Sequence, residues 1–465
     1  MKTFKSYTPH QTYLLPPNLA EWLPEGHLAL FISDVVDQLD LREIFLSYEK
    51  GDDRGAPPYH PAMMLKLLVY GYCTGKPSSR KIEKATWEDV AYRVLSADQH
   101  PDHDSIAEFR KRHLMVLGGL FLQVLKLCQA AGLVKLGHVA LDGTKVKANA
   151  SKHKAMSYDR MGEAEARLEK EIADLLVEAK SVDEAEDAKY GKGKRGDELP
   201  EELRRRESRL IKIREAKAAL EAEAKALAAE KTKEVEEKLA KRAEEEVRTG
   251  HKAKGKAPVV EDPDKAIPEA KAQKNFTDPE SRIMKDGASK GFEQAYNAQI
   301  VVDSEAQIIV ATDITQESND KKQLVPMMVK VKENLGRVPE NASADAGYFS
   351  EANITATELE GINLHIPPDR QKHGDKALSI SDEEKATGLS VADQMRMKLR
   401  TESGHEIYRF RKAIVEPVFG QIKEVRGFRR FSLRGMGKVR AEWTLVCLTH
   451  NILKLFRSGW LPQVA

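Results

Sequence analysis

Three acidic residues far apart along the chain, Asp142, Asp345 and Glu416, have surroundings that fit metal chemistry. Asp142 lies in HVALDGTKVKANA and Asp345 in NASADAGYFS, each at the expected end of a short apolar strand. Glu416 lies in YRFRKAIVEPVFGQIK, Tyr408–Lys423, among basic and aromatic residues. Two strand-end carboxylates and a third from a helix packed over the sheet edge can converge. Such a cluster repels itself and takes up a proton unless a cation compensates it. Hard oxygen ligands suit Mg²⁺ or Mn²⁺, which use few protein ligands and coordinate phosphate oxygens. Two such ions roughly 3.5–4 Å apart activate a water or a 3′-hydroxyl and stabilise the leaving oxygen in in-line phosphoryl transfer. Each residue alone has a plainer reading: an Asp after a strand forms turns, and a Glu in a basic helix forms intrahelical ion pairs.

A phosphate-bearing substrate needs local positive charge. From Lys423 to Arg440 there are seven basic residues, Lys423, Arg426, Arg429, Arg430, Arg434, Lys438 and Arg440, against one acid, Glu424. This run either tracks a phosphate backbone, with Phe428 or Phe431 stacked on an unpaired base, or is a solvated loop whose phenylalanines belong to the core. Lys145 and Lys147, just past Asp142, are further phosphate candidates or plain surface lysines. His100, His103 and His113 have no cysteine partners and do not read as a zinc site.

Positioning these groups requires a sheet and helices, and the patterns supply both. Residues 1–133 read as helical: HPAMMLKLLVYGYC has a proline suited to a first turn, and Ser105 with Glu108 fits a capping box for a helix running from near Ile106 to Gly132. This part is either a DNA-binding module or a helical bundle with charged surfaces. HVALDGTKVKANA alternates as a strand or short hairpin. Residues 157–272, rich in Glu, Lys and Ala, place Leu168, Ile172, Leu175 and Ala179 on one face, and Leu203, Leu210, Ile213, Leu220 and Leu227 at near-heptad spacing. With GKGKRGDELPEE as the break, they predict two long antiparallel helices, a hairpin inserted in a globular domain. AYNAQIVVD and QIIVATDIT predict a β-hairpin, NDKKQLVPMMVKVKENLG a helix ending at Gly336, SEANITATELEG a helix capped by Ser350, and INLHIPP a strand. Residues 367–402 are irregular. A helix carrying Glu416 follows, marked by Pro417 for a start or a kink, and then the apolar helix AEWTLVCLTHNILKLF. The order is α/β, a mixed sheet flanked by helices.

At 465 residues the chain can hold two or three domains. Its 75 basic and 73 acidic residues leave a net charge of +2, so no global field points to a polyanion, and only local clusters can. Cys73, Cys128 and Cys447 are isolated in apolar runs and read as core thiols in a reducing compartment. No stretch approaches the roughly 20 apolar residues of a membrane span, and a soluble cytoplasmic protein with no membrane partner is expected.

With these motifs the chain resembles a DDE transposase of bacterial insertion sequences, a group with an RNase H-like catalytic domain and a Tyr-Arg-Glu-Lys signature around its third acid. HPAMMLKLLVYGYCTGKPSSRKIEKA and DHDSIAEFRKRH resemble its helical N-terminal domain; VALDGTKVKANAS, SADAGYFS and AIVEPVFGQIKEVRGFRRFSLRG resemble its three acidic motifs. The resemblance implies an RNase H-like mixed sheet with an α-helical N-terminal domain and an inserted helical hairpin. The implied divisions are 1–133 (DNA binding), 134–156 with 273–465 (catalytic) and 157–272 (insertion). It implies that Asp142, Asp345 and Glu416 hold two Mg²⁺ ions. Lys423, Arg411, Lys412, Tyr408, Arg426, Arg429, Arg430, Lys145 and Lys147 would contact DNA. The implied activity is cleavage at the element's ends and strand transfer into target DNA, by a homo-oligomer on double-stranded inverted-repeat ends, with a catalytically inactive or domesticated DNA-binding relative as the alternative. One spacing departs from the signature: four residues separate Arg411 from Glu416 where three are expected, and Lys412 has the family distance instead.

Overall fold

A computed structural model of the chain describes residues 18–49, 57–190, 201–249, 260, 262–286, 291–369 and 389–462. Two compact units divide it: Met1–Ala148 with Tyr296–Ala465, and Asn149–Ala295.

Among the described residues, the first unit holds, after a 3₁₀ turn at Leu19–Trp22, the helices α1 (Leu28–Asp37), α2 (Arg42–Glu49), α3 (Pro61–Cys73), α4 (Ser79–Glu88), α5 (Val90–Leu95), α6 (His103–Arg112) and α7 (Val116–Ala130). Pro61 occupies the first turn of α3, where its missing N–H costs nothing, and nearly every residue after it is buried, the pattern of a central core helix. α6 starts earlier than the capping box predicts. Its N-cap is Asp102, which accepts the Ser105 N–H at 2.8 Å and the Ser105 hydroxyl at 2.9 Å. The single helix expected from Ile106 to Gly132 is two, bent by 80°. No proline or glycine marks that bend; burial of His113 and Leu114 on the intervening turn sets it. Gly132, at φ 74°, closes α7 as its spacing predicted.

The sheet opens with β1 (His138–Lys147). In the second unit, β2 (Ala155–Ser157) leads into α8 (Tyr158–Tyr190), followed by α9 (Glu201–Thr249), β3 (Gln273–Asn275) and β4 (Arg282–Lys285). α8 and α9 are antiparallel: Tyr158 meets Glu221 at 2.7 Å, and Glu171 meets Arg206 at 3.1 Å. Met161, Ala164 and Leu168 pack on Leu210, Ile213, Ala216 and Leu220, so the near-heptad residues form the seam of the hairpin. Leu227 is exposed, and the expected break at 191–200 and the side chains of Ala179 and Leu203 lie outside the described residues. β2 pairs antiparallel with β3, and β4 with Phe292–Ala295.

The chain continues through β5 (Phe292–Asp303), β6 (Ile309–Thr315), α10 (Leu324–Leu335), β7 (Asn341–Ser343), α11 (Glu351–Ile354), β8 (Asn363–His365), α12 (Val391–Arg400), α13 (Glu402–Gly420) and α14 (Met436–Arg457). β5 and β6 form the expected antiparallel hairpin, Gly336 caps α10 at φ 72°, and Ser350 accepts the Asn353 N–H at the start of α11. α12 falls where an irregular stretch was expected. The sheet order is β4-β5-β1-β7-β8 with β6 on β5; β7 runs parallel to both β1 and β8. This is a mixed sheet in an α/β fold. α13 packs on β1, and α14 packs on β6, α7 and α3. Among the described residues no single helix is long and apolar enough to cross a membrane.

A buried polar cluster joins the N-terminal helices to the C-terminal segment. Glu442 on α14 is fully buried; its carboxylate accepts the Tyr72 hydroxyl at 2.9 Å and the Ser432 and Leu433 N–H groups at 2.9 and 3.0 Å, and Arg110 donates to Tyr72 at 3.2 Å. Removing one acceptor strands several buried donors. Glu442→Ala is therefore expected to cost about 3–5 kcal/mol in urea unfolding, with Glu442→Gln less damaging; equal midpoints for wild type and Glu442→Ala would contradict this.

Candidate active site

Asp142 is not at the end of its strand, as its motif predicted, but is the fifth residue of β1. What ends there is the ladder with β7, whose last pair is Ala140 with Ser343. Asp142 and Asp345 each lie two residues beyond that pair. Equal offsets on neighbouring parallel strands bring the two carboxylates to the same carboxyl end of the sheet, where open α/β sheets bind ligands. Local hydrogen bonds hold both: Asp142 Oδ1 accepts the Gly143 N–H at 2.8 Å, and Asp345 caps a short 3₁₀ turn, accepting the Gly347 N–H at 2.9 Å.

α13 supplies the cation. Its buried face carries Arg411, Ile414, Val415 and Val418, with Tyr408 one turn earlier. Arg411 is 8 % exposed and its Nη1 lies 3.5 Å from Asp142 Oδ2; its Nε and Nη1 have no hydrogen-bond partner, and its guanidinium lies 5.8 Å from the Tyr408 ring centre. Lys412 is exposed, so the residue facing the aspartates is Arg411 and not the lysine with the family spacing. Burial pushes the Asp142 carboxyl up to about 7; Arg411 and the Gly143 N–H pull it down, while Asp345 and Asp320 push it further up. Burial also raises the Tyr408 hydroxyl, with Arg411 opposing.

Glu416 is exposed on α13, between Arg411 and Lys423 in the chain. Lys423 lies in a π-helical turn, Gln421–Val425, and its Nζ donates to the Lys145 carbonyl at 2.9 Å. Pro417 neither starts nor breaks α13. The carbonyl that it leaves without a helical donor, Ala413 O, instead accepts Gln307 Nε2 at 2.8 Å. The irregularity appears one turn later, as the π turn itself.

The basic run is stitched to the end of β1: Lys147 N–H donates to Arg429 O at 3.1 Å and Phe431 N–H to Lys147 O at 2.9 Å. Arg429, Arg430, Arg434 and Lys438 are exposed along it, Arg429 beside Glu424. Arg426 is different. It is 5 % exposed and donates to Val446 O and Thr449 Oγ1 at 3.2 and 2.8 Å, an internal tie between the run and α14 and not the phosphate contact expected of it. Phe428 and Phe431 are also core residues, their ring centres 5.6 Å apart and packed near Trp443 and Tyr296, so neither is free to stack on a base.

The sequence reading missed Asp320, in the loop before α10. Its Oδ1 accepts Asn297 Nδ2 at 2.6 Å and Gln299 Nε2 at 2.7 Å and lies 3.8 Å from Lys145 Nζ. An acid in a polar loop is unremarkable. The available signal was the strand beside it: Asn297 and Gln299 sit on one face of β5 and are fully buried, and buried amides need partners.

Among the described residues no group of three or more His, Cys, Asp or Glu side chains is arranged to hold a metal ion as it stands. The chemistry of the pair fits one nevertheless: Mg²⁺ is bound through one or two carboxylates plus substrate phosphates, and Asp142 with Asp345 provides two hard oxygen donors whose mutual repulsion a cation relieves.

Two family models match the chain, a transposase domain (DUF772) over residues 17–112 and a transposase DDE domain over residues 370–456. No curated protein and no solved structure matches. Both matches are to transposase domains, and together they support a DDE transposase of the insertion-sequence type. The second match contains Glu416, Arg411 and the basic run; Asp142 and Asp345 lie outside both.

The raised Asp142 carboxyl has a consequence for stability. Unfolded, the group gives up its proton near the ordinary value of 3.8; folded, it keeps it to about 7. The folded chain binds more protons in that window, so this group makes stability fall as pH rises from about 4 to 7. In EDTA, Asp142→Asn is expected to gain on wild type through that window, by a few kcal/mol, and to level off above it. Parallel pH profiles for the two proteins would contradict the assignment.

Proposed function

We propose that this transposase cuts DNA at the ends of its mobile element and joins the freed 3′-hydroxyl to target DNA, using Asp142, Asp345 and Glu416 as ligands for two Mg²⁺ ions, with Mn²⁺ able to replace them. The observation that carries the reading is the matched position of Asp142 and Asp345 past the β1–β7 ladder, facing an arginine with unpartnered N–H groups. Strand order supports an RNase H-like sheet, with the antiparallel β5–β6 pair on one side of β1 and the parallel β7 and β8 on the other. Glu416 takes the third position because the α13 residue five before it and the π-turn residue seven after it both reach β1.

Bound Mg²⁺ supplies the Lewis acidity that activates the attacking oxygen and stabilises the leaving one. The chain's own groups orient the substrate. Arg411 offers N–H donors to a phosphate oxygen beside the aspartates, a charge-assisted bond worth more than a neutral one where water is excluded. Lys423, Lys145 and Lys147 border the same strand end, and Arg429 and Arg430 extend the positive track along the duplex. The reading assigns 1–133 to recognition of DNA ends, 134–156 with 273–465 to chemistry, and the 157–272 hairpin to contact between copies on paired ends.

Inverted repeats in the DNA flanking the gene provide the substrate for a test. Wild type is expected to cleave it only with Mg²⁺ or Mn²⁺, and Asp142→Ala, Asp345→Ala and Glu416→Ala to bind it without cutting. Undiminished cutting by Asp142→Ala would sink the metal-site reading; DNA binding with no metal-dependent turnover in wild type would favour a DNA-binding relative that has lost catalysis. For the basic track, Arg429→Ala with Arg430→Ala is expected to lower the dependence of log affinity on log salt by about one for each phosphate that is no longer neutralised, and an unchanged slope would remove these residues from the interface.

A further inference from the structure

Asp320 packs against the turn that follows Asp142 and is linked through Gln299 to the turn that Asp345 caps. Toward Asp142, its Oδ1 lies 3.8 Å from Lys145 Nζ, and a Cβ added at Gly143 would stand 2.7 Å from that same oxygen, so the backbone next to Asp142 runs directly against it. Toward Asp345, its Oδ2 is 4.0 Å from where a Cβ on Gly347 would stand. A second route leads there through the floor of the cleft. Gln299 donates to Asp320 Oδ1 at 2.7 Å and, through its own carbonyl oxygen, accepts the hydroxyl of Tyr348, which belongs to the 3₁₀ turn that Asp345 caps. Asn297 completes the floor, donating to Asp320 at 2.6 Å and to Glu317 O at 3.1 Å.

We propose that Asp320 is a positioning residue that fixes the separation of the Asp142 and Asp345 turns, and with it the geometry these two carboxylates offer a divalent cation; the inference rests on the metal-site reading above. Oδ1 is already engaged by two amide donors with a lysine nearby, which fills its lone pairs and balances the charge within the protein. Asp142 and Asp345 instead accept hydrogen bonds from the backbone of their own turns, and Asp142 also faces Arg411 at 3.5 Å. Gly143 has a matching explanation: the side chains of Gln299 and Asp320 stand where its Cβ would point. Groups that hold metal-binding carboxylates in place set affinity as well as rate, and their loss typically weakens binding about ten- to a hundredfold.

The test is a titration of the full chain, without DNA, with MnCl₂, reading free Mn²⁺ by electron paramagnetic resonance. Wild type, Asp142→Asn, Asp320→Asn, Gln299→Leu and the Asp320→Asn/Gln299→Leu double variant are compared, with circular dichroism and thermal unfolding as fold controls. Asp320→Asn is expected to keep its fold and weaken Mn²⁺ binding about ten- to a hundredfold. Gln299→Leu, which removes a link and no carboxylate, is expected to weaken it as well, and the double variant to bind no worse than the weaker single one. Wild-type affinity in Asp320→Asn overturns the proposal. So does weakened binding in Asp320→Asn beside wild-type affinity in Gln299→Leu, because that pattern belongs to a direct ligand. Should Asp320→Asn fail to fold, Gln299→Leu alone decides. Wild-type Mn²⁺ binding that Asp142→Asn leaves unchanged would instead sink the metal-site reading, and this inference with it.

Discussion

The site depends on a parallel pairing of only three residues, His138–Ala140 of β1 against Asn341–Ser343 of β7. That ladder puts Asp142 and Asp345 at equal distances beyond its end, and everything else in the cleft answers the electrostatic problem this creates. Two carboxylates in a half-buried notch repel, and Arg411 at 3.5 Å from one of them and Lys145 beside Asp320 are the protein's own compensation. The compensation is incomplete. Burial, only partly opposed by Arg411, pushes the Asp142 carboxyl up toward neutrality, and Asp345 adds to it.

α13 places its functional groups by a division of faces. Arg411 belongs to the buried stripe that packs on β1; Lys412 and Glu416, one turn apart, share the solvent side. Pro417 sits between these groups and the π turn that carries Lys423. Gln307 takes over the carbonyl that the proline leaves behind, and Lys454 in turn donates to Gln307 at 2.6 Å, so α14 steadies the helix at its weakest point. A helix that merely ended at Pro417 could not carry both Arg411 and Lys423 to the same strand.

Much of this was legible in the sequence where the signal is local. The β5–β6 hairpin, the Gly336 and Ser350 caps and the seam of Leu168, Leu210, Ile213 and Leu220 follow from periodicity and capping chemistry, which act within a few residues. What was not legible depends on distant partners. β1 continues past Asp142 because residues 429–431 pair with its far end, and nothing near Asp142 encodes that. Arg426 reads as one more cation in a basic run, yet the carbonyls and hydroxyl of α14 draw it inside. The bend between α6 and α7 has no breaker residue, and Asp320 looks like loop polarity until Asn297 and Gln299 are recognised as buried amides in need of an acceptor.

Most of the second unit, residues 149–291, lies in the chain between β1 and both of its sheet neighbours. During synthesis β1 therefore emerges long before either strand that can pair with it, while α8 and α9 pack chiefly on each other. Asp142 gains its neighbour Asp345 later still, and Arg411 last of the three. A ribosome-bound chain thus carries no assembled cleft until α13 has left the exit tunnel. The order of the segments delays the cleft until the fold that holds it is nearly complete.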